Sequence, residues 1–159
     1  MATLIGFKAD QVDTALTSGK TFSPGDVAED DNGKKYVYVK ASSAIALYDV
    51  VTFDETYITT VAGVSTSNDA RGDLIGVAPV AIASGSYGWV QIYGPCTMNV
   101  LASCAANVRI NTTATAGFPD DDAGSGSIQL EGIYLTAART ASSGSAAGIL
   151  NMPIQGATL

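Results

Sequence analysis

The chain of 159 residues contains no histidine. That absence removes imidazole general bases, His-containing catalytic triads and the commonest zinc sites together. Cysteine is nearly absent too. Cys96 and Cys104 are the only two, too few for a disulfide framework. They are either one bonded pair or, the better reading, two small buried thiols. Charged residues make up 14% of the chain, against roughly 25% in an average globular protein. Lys34-Lys35 is the only basic cluster, and a nucleic-acid backbone needs several cations on one face, so direct nucleic-acid binding is excluded. No apolar run approaches the ~18 residues of a membrane span, and no basic segment followed by a long apolar one marks a secretion signal. The expectation is a protein made in the cytoplasm that stays there or leaves inside a larger particle, with no membrane partner.

What is present is small and apolar. Hydrophobic residues account for 47% and glycine for 17 positions, and the formal net charge is −7. Ala, Gly, Ser and Thr stand where charged residues usually do. Such a surface suits a protein packed against copies of itself or a scaffold, and equally a β-domain with long turns. A chain of this length can bury roughly 70% of its unfolded surface, enough for its own core.

Residues 74–95 organise the reading. Leu74 to Ile82 is apolar and β-branched, with Pro79 as a bulge or edge. Ser84-Gly85-Ser86 is a turn. Trp89, Gln91 and Tyr93 then alternate with Val90 and Ile92, and Gly94-Pro95 is expected to stop the strand. Upstream, residues 1–21 read as an arm with one or two helical turns at 10–16. Asn32-Gly33 between β-prone runs is a hairpin signal, because both central residues tolerate positive φ. In Tyr36-Val-Tyr-Val39 the tyrosines share one face and the valines the other. Further strands are expected at 45–53, 57–61, 97–101, 107–113, 128–136 and 148–153.

Chemistry-bearing clusters are few. Glu29, Asp30 and Asp31 lack the spacing of a calcium loop and read as a solvated turn. Asp120-Asp121-Asp122 repel one another, which leaves a solvated or cation-bridged tip. Arg71-Gly72-Asp73 matches an adhesion tripeptide but sits at the start of a buried strand. Gly-Ser-Gly-Ser at 124–127 lacks the lysine and helix of a phosphate loop. Glu131 is an isolated glutamate with no evident partner carboxylate, whereas a glycosidase needs two. No nucleophile has a base beside it. The expectation is no enzyme, no cofactor and no dedicated metal site, with the aspartate tip left open.

Val39-Lys-Ala-Ser-Ser-Ala-Ile-Ala-Leu47 aligns with Val100-Leu-Ala-Ser-Cys-Ala-Ala-Asn-Val108. Ser-Gly-Ser at 84–86 and at 143–145 each leads into a glycine-containing apolar strand. Either the chain holds two duplicated halves, about 22–95 and 96–155, or small-residue sequence is aligning with itself. Both lead to one class: all-β, an antiparallel β-sandwich or small β-barrel over 22–159, preceded by an extended N-terminal arm at 1–21.

Pro24-Gly-Asp-Val27, Glu29-Asp-Asp-Asn-Gly-Lys-Lys-Tyr-Val-Tyr-Val-Lys-Ala41, Ala46-Leu-Tyr-Asp-Val-Val51, Ile75-Gly-Val-Ala78 and Gly88-Trp-Val-Gln-Ile-Tyr-Gly94 follow one another in a progression. It resembles the capsid decoration, or cement, proteins of tailed bacteriophages, and residues 107–115 and 131–135 continue the pattern. The resemblance covers about 22–153 and rests on strand-and-turn signatures. It implies an all-β virion protein on the capsid exterior that binds the major capsid protein and other copies of itself, a trimer before a dimer, and clamps subunit seams without a reaction. Leu4, Ile5, Gly6 and Phe7, in the apolar arm, are the expected capsid contact, adding a strand to a capsid sheet edge. Two other readings stand beside it: a tail-associated or fibre-base virion protein, and a carbohydrate-binding module using Trp89, Gln91 and Tyr93 as an exposed row.

Overall fold

The computed structural model describes residues 6–16, 22–63 and 72–159. It is all-β, with no helix among the described residues. The strands are β1 (Val12–Asp13), β2 (Val27–Glu29), β3 (Lys35–Ala41), β4 (Val50–Phe53), β5 (Ile58–Val61), β6 (Leu74–Val77), β7 (Tyr87–Val100), β8 (Ile110–Asn111), β9 (Ile128–Leu135) and β10 (Gly144–Thr158). All belong to one sheet in the order β1-β7-β3-β5-β4-β6-β10-β9-β8, with β2 on β3, and β7 also bonded to β6 and β10. The bonding is therefore ring-like without closing a regular barrel. β7–β3–β5–β4–β6 returns to β7 through Val77 opposite Gln91. Every strand pair is antiparallel except β3–β5, where Lys40 and Ala41 lie parallel to Ile58 and Thr59. That one pair corrects the purely antiparallel expectation. β5 turns back from β4 as a hairpin and so meets β3 running the same way.

The hairpin at Asn32-Gly33 forms as expected, with Gly33 at φ 76° and Val27, Ala28 and Glu29 opposite Val37, Tyr36 and Lys35. The Asp30 carboxylate organises it, accepting from the amides of Asn32 and Lys34 at 2.9 Å each. Of the three acids, Asp30 is thus the turn device. In β3 the alternation separates two buried clusters. Val37 and Val39 join Ile45, Val51, Phe53, Val90 and Ile92 inside the ring. Tyr36 and Tyr38 join Trp89 on the other side. A third cluster carries the distal half, with Met98, Val100, Ile110, Leu130, Ile133, Leu135 and Leu150 packed on Val50, Ile75 and Val77. The two halves share this core.

Gly94-Pro95 does not stop the strand. β7 runs 14 residues straight through it, and Tyr93 is where it changes partner. Residues 87–93 pair with β3, and residues 93–100 pair with β10. Gly94 takes φ 92° at the switch, a conformation that costs glycine no steric strain. The separate strands expected at 74–82 and 97–101 are accordingly a shorter β6 and the distal part of β7. Residues 12–13 form a strand on β7, with Val12 opposite Gly88 and Asp13 opposite Tyr87. This replaces the helical turn expected there, because the edge of β7 supplies hydrogen bonds that an isolated turn lacks.

Candidate functional site

Of the four residues expected to touch a partner, Leu4 and Ile5 lie outside the described residues. Gly6 is exposed at φ 87°. Phe7 is half-buried and docks on its own body. Its ring meets Trp89 edge-on at 4.8 Å between centroids and Tyr36 at 5.2 Å. Phe22 closes the other side of Trp89 at 4.9 Å. The sheet face carrying Tyr36, Tyr38 and Trp89 is thereby covered by Phe7 and Phe22. Tyr38 donates its hydroxyl hydrogen bond to the Asp13 carboxylate, and Tyr36 donates to Asp30 at 3.3 Å. Burial first, then the neighbouring carboxylates, pushes both phenols well above the usual tyrosine range.

The exposed row expected at Trp89, Gln91 and Tyr93 does not form. Trp89 is fully buried and Gln91 nearly so. The Gln91 amide donates to the carbonyls of Tyr93 and Pro95 at 3.0 and 2.9 Å, bracing the partner switch. Only Tyr93 reaches solvent. A different aromatic pair does: Tyr93 on β7 and Tyr134 on β9, both 39% exposed. They flank a depression of about 360 Å³ floored by Gly94, Pro95, Ile149, Leu150 and Asn151. Apart from the two phenols its lining carries no ionisable side chain, and the Lys35 ammonium lies over the Tyr93 ring, 5.3 Å from its centroid. This aromatic face was invisible in the sequence, because β7 and β9 meet only through β10.

The aspartate tip is split. Asp122 is exposed, while Asp120 and Asp121 turn toward the body. Cys104, fully buried, and these two carboxylates have their ligand atoms within 4.8 Å of one another. Asp121 accepts from the amide of Ala105 at 3.0 Å, and Asp120 from that of Asp121 at 3.0 Å. Burial raises the Asp120 carboxyl, and Asp121 beside it adds to the rise. Both cysteines are free and buried, and burial pushes each thiol up to about 12. Three buried side-chain atoms have no hydrogen-bond partner among the described residues: Trp89 Nε1, Asn111 Oδ1 and Gln155 Oε1. Each such loss costs about 1–3 kcal/mol.

The remaining motifs resolve structurally. Gly72 and Asp73 are held on β10, where the Gly72 amide donates to the Gln155 carbonyl at 2.8 Å and the Asp73 carbonyl accepts from the Gln155 amide at 2.9 Å. Arg71 lies outside the described residues. Glu131 is exposed, its carboxylate lying against Gly156. No protein-family model matches the chain, and no curated protein matches it in sequence.

Proposed function

We propose that the chain is a virion structural protein, an all-β module that acts by binding and not by catalysis. Within that class, the reading best supported is a capsid decoration protein on the outside of a tailed-phage head, bound to the major capsid protein and to other copies of itself. The observation that carries it is the exposed Tyr93–Tyr134 pair flanking a depression floored by Pro95 and Ile149, on a chain of net charge −7. Exposed aromatic and apolar side chains grouped on one sheet face mark protein contact surfaces. The strand-and-turn resemblance to cement proteins supplies the partner. Phe7 refines the arm: it roots the chain on Trp89, so the capsid-contacting residues are those before Gly6, Leu4 and Ile5 among them.

The test is co-sedimentation with expanded phage heads that lack the protein. Deleting residues 1–5 leaves the Phe7 root in place and is expected to abolish or sharply weaken binding, and Tyr93→Ser with Tyr134→Ser to weaken it independently. Full binding by both variants contradicts the proposal. A carbohydrate-binding reading survives only on the relocated pair, Tyr93 and Tyr134, with Asn151 between them. Glycan binding lost in Tyr134→Ala, with head binding absent, would favour it.

A further inference from the structure

The distal half carries a cluster that the decoration reading does not use. Cys104 lies in the connection after β7, Asn111 in β8, and Asp120 and Asp121 in the loop between β8 and β9. Asn111 and Asp120 form a hydrogen-bonded antiparallel pair, each amide donating to the other's carbonyl, at 2.7 and 3.0 Å. Residues directly opposite in such a pair project their side chains from the same face of the ribbon. The Asn111 amide is completely buried there. Its nitrogen donates to the Asp121 carbonyl at 3.3 Å, while its oxygen has no partner. Among the described residues no lysine or arginine pairs with Asp120 or Asp121. The ligand atoms of Cys104, Asp120 and Asp121 thus lie together, and the unpaired amide oxygen belongs to a residue that projects from the same face as Asp120. A depression of about 240 Å³ lined by Asp120, Asp122, Thr113 and Ser127 borders the cluster at Asp120.

We propose that Cys104, Asp120 and Asp121 bind a thiophilic divalent cation of the zinc type, with Asn111 Oδ1 as the fourth donor. The ligand atoms lie within 4.8 Å of one another. An ion with bonds of about 2.0–2.3 Å spans them after a closure of roughly an ångström. The Cys104 proton leaves to solvent as the sulfur–metal bond forms, because a coordinating thiol is held as thiolate. The ion ties the connection after β7, β8 and the loop after it, three neighbouring segments, and so acts as a local staple in the distal half.

The test uses the full chain, treated with chelator and then titrated with Co²⁺ as a spectroscopic probe and Zn²⁺ as the stabilising ion. One equivalent of Co²⁺ is expected to give a thiolate-to-metal charge-transfer band. Zn²⁺ at about 100-fold over its dissociation constant is expected to raise Tm by roughly 5–10 °C. Both effects are expected to persist in Cys96→Ser, which removes the other thiol, and to vanish in Cys104→Ser. Should Cys104→Ser fail to fold, Asp120→Asn serves in its place, with the Zn²⁺ shift lost. No band and no shift in the parent protein overturns the proposal. So does a band that follows Cys96, or a Ca²⁺ shift as large as that of Zn²⁺ and indifferent to Cys104→Ser.

Discussion

Phe7→Ala tests how the N-terminal segment is rooted, and the chain carries its own probe. Trp89 is the only tryptophan and is fully buried between Phe7, Phe22 and Tyr38. Truncating a fully buried phenylalanine costs about 3–5 kcal/mol. Phe7 is half-buried, so roughly half of that, about 1.5–2.5 kcal/mol, is expected, its two ring contacts included. Urea unfolding followed by tryptophan fluorescence reads both consequences. The midpoint should fall with the slope unchanged. The native emission should also shift to longer wavelength, because removing the ring opens one wall of the indole slot to water. An unchanged midpoint together with unchanged native emission would refute the rooting of the arm at Phe7.

Three further outcomes follow from the packing. Gly76→Ala should destabilise by about 1–3 kcal/mol in denaturant unfolding, since a Cβ there would sit 2.2 Å from Val90 Cγ1 and 2.9 Å from the Gln91 carbonyl oxygen; a neutral result would mean β6 and β7 are not pressed together. Tyr36 and Tyr38 are raised by burial and by Asp30 and Asp13, so their contribution to stability is fully present below the unfolded phenol value of about 10 and is lost as pH rises toward their folded values. Tm should therefore drop above about pH 10, and absorbance titration should show two phenols ionising only on unfolding; seven tyrosines titrating together would contradict this. With both thiols pushed up to about 12 by burial, Cys96 and Cys104 should resist a disulfide reagent at neutral pH until denaturant is added, and rapid native labelling of either would contradict their placement.

Much of the fold is local and was legible for that reason. The Asn32-Gly33 hairpin and the Tyr36-Val-Tyr-Val39 alternation are set by turn chemistry and by the two-residue period of a strand. Trp89 and Gln91 were misread because the same alternation describes a strand with one exposed face and a strand buried on both. Only the tertiary cover of Phe7 and Phe22 decides between them. Gly94-Pro95 carried the signature of a strand end, yet the strand changes partner there, which depends on β10 some fifty residues later. The Tyr93–Tyr134 face is likewise a product of register between distant strands, whereas Cys104, Asn111 and Asp120 lie within 17 residues and Asn111 and Asp120 meet through a local bridge. No spacing in the sequence encodes the aromatic face, while Asp120 to Asp122 did flag one corner of the local cluster.

The central claim is that this protein coats a phage head, and its copy number in purified particles tests that most directly. Quantitative mass spectrometry against the major capsid protein should find it in numbers comparable to the capsid subunits or a simple fraction of them. A handful of copies per particle would place it at the tail or a single vertex, and its absence from particles would contradict the virion reading altogether.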